Sequence, residues 1–172
     1  KVLQSDEAEL LPPFPWSTGH SGLIAESESG ILTLINTDEK SIFAESSWDL
    51  SNLLDSNSNL VGLGDFNGDE SIDLLIRSGR DQLEMLLSNQ DGTVERTPVN
   101  PPGTGDPKWS VAAIADFNQD QQSDLIFQHE DGTLALWLMT GAQRNKAHFF
   151  LPKRIGEPDW RVSGAADFDQ DG

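Results

Sequence analysis

Apolar residues along this chain come in runs of four to seven, partly alternating with polar ones and separated by turn signals. In "SDLIFQHEDGTLALWLMTG" from Ser123, one run reaches Phe127, "EDGT" at Glu130 interrupts it, and a second apolar run follows to Met139. Short apolar runs with Asp-Gly between them are the mark of paired strands. The pattern predicts strands over 111–117, 124–129, 133–139 and 147–151, with a Pro- and Gly-rich connection before Trp160. No segment carries a helical stripe, so the expected class is all-β.

The runs recur at a fixed interval. "WSVAAIADFNQD" (109 to 120) and "WRVSGAADFDQD" (160 to 171) lie 51 residues apart and share seven of twelve residues. "GDPKW" and "GEPDW" keep the same interval, as do Leu23, Leu74 and Leu125, and Leu32, Leu83 and Leu134. Four short strands per repeat of about 50 residues point to β-propeller blades of four antiparallel strands. A β-sandwich built from duplicated hairpins is the alternative, although unlike strand environments give it no reason to keep one spacing. The organisation read from the period is an N-terminal extension over 1–12 and repeats over 13–172. These divide into a degenerate unit at 13–63, units at 64–114 and 115–165, and the start of a fourth at 166–172, about three and a third blades. A blade ending there leaves sheet edges exposed. Further blades from the same or other chains are therefore expected to complete a larger ring.

The most regular feature of the repeat is acidic. "DFNGDESID" places Asp65, Asn67, Asp69 and Asp73 at positions 1, 3, 5 and 9 of a loop, and "DFNQDQQSD" places Asp116, Asn118, Asp120 and Asp124 there. Odd positions of a tight loop can turn inward together, and an all-oxygen donor set suits Ca²⁺ rather than zinc or copper. The backbone carbonyl at position 7, Ser71 or Gln122, is a further candidate ligand. An EF-hand is excluded, because its twelfth position needs a bidentate Glu and here carries Ile76 or Phe127. The competing reading is a pair of Asp-rich turns, which Asp, Asn and Gly favour without any metal. Asp167, Asp169 and Asp171 open a third loop that lacks its later ligands, so two complete calcium sites and one incomplete site are expected. The first unit has Phe14, Trp16, Thr18 and Gly22 at the matching positions and should hold none.

"WSVAAIADFNQDQQSDLIFQHEDGTLALWLMTG" resembles the FG-GAP or VCBS repeat of bacterial extracellular proteins and, more distantly, the β-propeller of integrin α chains. The resemblance runs from about Ser21 to the end, and Ser58 departs from it by standing where later repeats have Trp. It implies a calcium-stabilised propeller outside the cytoplasm, at the cell surface, in the periplasm or secreted, of the kind used in adhesion.

Charge narrows the partners. A formal charge of -18 argues against nucleic acid and anionic membrane surfaces, and no apolar run is long enough for membrane insertion. Without cysteine there is no thiolate site or disulfide. His20, His129 and His148 are isolated, no nucleophile elbow or phosphate loop appears, and tyrosine is absent, so no catalytic residue is assigned. Trp109, Trp137 and Trp160 suit stacking on sugars or packing between blades, whereas Trp16 and Trp48 fall outside the register. The function expected is a binding or scaffold module that meets a protein or glycan on its inter-strand loops. "NPPGTGDPK" before Trp109 and "PKRIGEPD" before Trp160 are the candidate segments. The alternative is part of a secreted carbohydrate-active enzyme on the same scaffold, such as the polysaccharide lyases this repeat resembles.

Overall fold

The computed structural model describes residues 53–89, 93–154, 156 and 159–165, together with the backbone of three earlier strands. The described residues form antiparallel sheets and no α-helix. β1 (Ser21–Glu26), β2 (Leu32–Thr37) and β3 (Ser47–Asp49) make a three-stranded sheet in that order. β4 (Ser58–Gly64), β5 (Asp73–Ser78), β6 (Gln82–Ser88) and β7 (Val94–Pro98) make a four-stranded meander. β8 (Trp109–Ala115), β9 (Asp124–His129), β10 (Thr133–Thr140) and β11 (Gln143–Arg154) make another.

Leu23 stands opposite Ile35, Leu74 opposite Leu86, and Leu125 opposite Trp137, each pair 51 residues beyond the last. The irregularities coincide as well. The β4–β5 pairing slips between Leu60 and Gly62, and the β8–β9 pairing between Val111 and Ala113. Each four-stranded sheet takes its first strand from before an acidic loop, so a unit counted from loop to loop spans two sheets.

Of the strand boundaries that differ from the sequence expectation, two have a local cause. β8 stops at Ala115 rather than 117, because the Asp116 carboxylate gathers the amides that follow it and the Phe117 amide turns to Asp124. β11 begins at Gln143 rather than 147, because Thr140 pairs with Gln143 across a two-residue turn in which Gly141 has φ 53°. That left-handed conformation suits glycine.

The two meanders pack against each other. Phe66, Leu75, Leu83, Met85 and Val99 from one side meet Leu125, Phe127, Ala135, Trp137 and Met139 from the other, all buried. Burying one such large side chain contributes about 1.5–3 kcal/mol, so this shared core is the main bond between the sheets. The β4–β7 sheet buries its second face too, with Leu74, Ile76 and Leu86 packed by Leu53, Leu60 and Val94 among others. This explains why β5 reads as an unbroken apolar run where a half-exposed strand would alternate.

Polar contacts set how the sheets sit. The Ser123 amide donates to the Asp65 carbonyl at 2.6 Å, and the Gly141 amide to the Phe66 carbonyl at 2.9 Å. A Cβ on Gly64 would lie 2.5 Å from Ser123 Oγ, so that close approach requires glycine. Arg77 Nη2 donates to the Trp109 carbonyl at 3.3 Å. Gln128, 51 residues beyond Arg77, donates to the Trp160 carbonyl at 2.8 Å and accepts the Val162 amide at 3.0 Å.

Candidate functional site: the acidic loops

Both complete acidic loops link the first strand of a sheet to the second, and both are built around their own carboxylates. In the first, Asp65 Oδ1 accepts the amides of Gly68 at 2.7 Å and Asp69 at 3.3 Å, and its Oδ2 accepts that of Glu70 at 2.9 Å. Asn67 Oδ1 accepts the Asp69 amide at 3.0 Å, and Asp69 Oδ1 accepts the Ser71 amide at 2.8 Å. Such short-range caps are how Asp and Asn fold a turn. Gly68 (φ 74°) and Glu70 (φ 66°) take the left-handed conformations that aim these amides inward.

The second loop repeats the first bond for bond. Asp116 accepts the amides of Gln119 at 2.7 Å, Asp120 at 3.3 Å and Gln121 at 2.7 Å. Asn118 accepts from Asp120 at 2.9 Å, and Asp120 from Gln122 at 3.0 Å. Gln119 and Gln121 are left-handed, with φ 63° and 68°. Gln122 adds something the sequence did not signal: its Oε1 accepts the Gly141 amide at 2.9 Å and ties the loop to the β10–β11 turn.

Position 9 is different in kind. Asp73 is fully buried at the start of β5, where its Oδ2 accepts the Phe66 amide at 2.9 Å and its Oδ1 the Ser88 amide at 2.8 Å. Asp124 does the same for Phe117 at 3.0 Å and Met139 at 2.8 Å. Burial pushes the Asp73 carboxyl up to about 6, the two amides pull it back, and repulsion from Asp69 and Asp65 adds to the rise. Asp124 is raised for the same reasons, with burial first.

A comparison with protein families matches residues 65–127 to the FG-GAP-like repeat. This stretch is thus similar to an FG-GAP-like repeat. It opens on the first Asp of one loop, takes in the whole of the second loop and closes within β9. Comparisons with curated proteins and with solved structures give no match.

The donors of the FG-GAP-like repeat's loops are hard oxygens, and a carboxylate oxygen that accepts one amide keeps a further lone pair, so their chemistry fits a hard cation. Among the described residues, no three of His, Cys, Asp and Glu form a group able to hold a metal ion as arranged. The carboxylates are instead distributed over the loop amides, which answers their mutual repulsion by another route. Ser71 is buried beside Asp69, to which its amide donates. Asp167, Asp169 and Asp171, and Phe14, Trp16 and Thr18, lie outside the described residues, while Gly22 falls within β1.

A second feature lies beside the repeat, in the core between the sheets. Trp137 is buried against Phe127 at 4.6 Å between ring centroids, and Trp109 sits 6.3 Å from Phe149. Together with Thr104 and Arg144 they line a cleft of about 210 Å³. The Arg144 guanidinium lies 4.6 Å over the Trp137 ring. Trp160 is 61% exposed and does not line this cleft. Sequence reasoning named Trp109 and Trp137 but missed Arg144 and Phe149, although the absence of any acidic residue from 132 to 156 was a signal.

Proposed function

We propose that this chain is part of a calcium-stabilised β-propeller that serves as a binding or scaffold module of an exported or cell-surface protein. The observation that carries the reading is the acidic loop itself, reproduced at the same place in two successive sheets of an FG-GAP-like repeat. Burial on both faces of the β4–β7 sheet favours a blade between blades over one layer of a sandwich. Each loop is assigned one Ca²⁺, held by Asp65, Asn67, Asp69 and Asp73 or by Asp116, Asn118, Asp120 and Asp124, with the Ser71 or Gln122 carbonyl completing the set. The ion's charge would compensate the carboxylates and fix the loops between the sheets. Partner contact is assigned to the connections, foremost residues 100–108, whose Thr104 reaches the cleft.

The test is calcium titration of the metal-free protein by calorimetry. Two equivalents, each lost on substitution within one loop, are the expected result. Uptake insensitive to both loops would mean diffuse counterion binding and would overturn the assignment.

A further inference from the structure

The cleft beside the core has a chemistry at odds with the rest of the molecule. The protein carries a net charge of -18, yet residues 132 to 156 include Arg144, Lys146, Lys153 and Arg154 and no carboxylate. Arg154 is paired with Asp131 at 2.8 Å, but no carboxylate among the described residues pairs with Arg144. Arg144 is held instead over the Trp137 ring, half-buried, while Lys153 Nζ lies 4.9 Å over the exposed ring of Phe149. Over most of this surface an anion is repelled; here two cations stand on aromatic faces with their charge unspent.

Resting on the binding-module reading above, we propose that this cleft binds an acidic polysaccharide through one carboxylated sugar ring. Arg144 would receive the carboxylate, and the ring would lie along the aromatic wall of Trp109 and Phe149. Three observations select this occupant. The cleft, about 210 Å³, is smaller than the roughly 300–1,000 Å³ of sites for drug-sized ligands, which suits a single ring. Its walls include the flat rings of Trp109, Trp137 and Phe149, against which a sugar ring can stack. Its cation is a guanidinium, whose planar fork matches a carboxylate in two parallel hydrogen bonds.

The experiment titrates the 172-residue chain, in calcium buffer, with a uronic acid oligosaccharide, its neutral counterpart of equal length, and polyglutamate, following tryptophan emission. The acidic oligosaccharide should bind at least tenfold more tightly than the other two. Arg144→Ala and Phe149→Ala should each weaken it about tenfold or more while melting close to the parent, since the Arg144 side chain makes no hydrogen bond among the described residues and Phe149 is 54% exposed. Arg144→Gln, which keeps the stem over Trp137, covers the case in which Arg144→Ala does not fold. Equal binding of the neutral oligosaccharide, equal binding of polyglutamate, or indifference to both substitutions would each overturn the proposal. Calcium uptake by the loops is read in the same samples, so failure of the cleft and failure of the calcium-module reading are separable.

Discussion

Asp73 and Asp124 do the work of a linchpin at the scale of single residues, since each buried carboxylate joins the loop amide at position 2 to the next strand. Asp73→Ala leaves the buried Phe66 and Ser88 amides without an acceptor, and a stranded buried donor costs about 1–3 kcal/mol. The expected loss is about 2–5 kcal/mol in urea unfolding. Asp73→Asn retains one acceptor and should lose clearly less. An Asp73→Ala protein as stable as the parent would refute this role. Position 5 separates the metal question from the structural one. Asp69→Ala or Asp120→Ala should each remove one equivalent of bound calcium, whereas Asp49→Ala, outside the loop register, should remove none. Calcium calorimetry on the three proteins decides it, and equal losses would point to unspecific binding by an acidic surface.

At the scale of elements, the close approach of the two meanders is controlled by glycines. A Cβ on Gly62 would meet only Ile114 Cδ1 at 2.6 Å, the free end of a flexible side chain, but on Gly64 it would strike Ser123 Oγ and Cβ at 2.5 and 2.7 Å. Gly64→Ala should therefore cost about 1–3 kcal/mol, the usual range for overpacking, and more than Gly62→Ala. Adding Ser123→Gly should recover part of it in thermal melts. The Gln128 contact makes a parallel case: Gln128→Ala should speed hydrogen exchange at the Val162 amide, with little change in β9 and β10. These contacts mark where reading the chain stopped. Strands such as 124–129 were legible because their apolar run and the turns that flank it are local. The loops were legible because four carboxylate or amide side chains recur at fixed odd positions. The pairing of Gly64 with Ser123 has no local spacing, since it is created only when two sheets meet, and Arg144 reaches Trp137 within the β10–β11 hairpin only through a register that shifts between Leu138 and Met139. The distribution of loop carboxylates over their own amides was illegible for another reason: residue identity names the donors but not which amides they will accept.

For the whole molecule, charge sets the balance that calcium is proposed to shift. A chain with 29 acidic and 11 basic residues stores self-repulsion in any compact state, and the acidic loops concentrate part of it between the two sheets that share a core. If each loop binds calcium with a dissociation constant of about 0.1 mM, then about 2 mM free Ca²⁺ stabilises the folded state by roughly 1.8 kcal/mol per site. Two sites give about 3.6 kcal/mol. In a domain of this size, 1 kcal/mol shifts the melting temperature by about 2–4 °C, so the melt should rise by about 7–14 °C between EDTA and 2 mM calcium. Non-specific screening predicts something different: magnesium or sodium at matched ionic strength would reproduce the gain, and the Asp69→Ala, Asp120→Ala double variant would keep it. The site reading requires that magnesium give less and that the double variant lose most of the calcium response, measured against its own melt in EDTA because Asp69 and Asp120 also accept the Ser71 and Gln122 amides. A metal-loaded parent whose melting curve is unmoved by EDTA would remove calcium from the account and leave the loops as amide-capped turns.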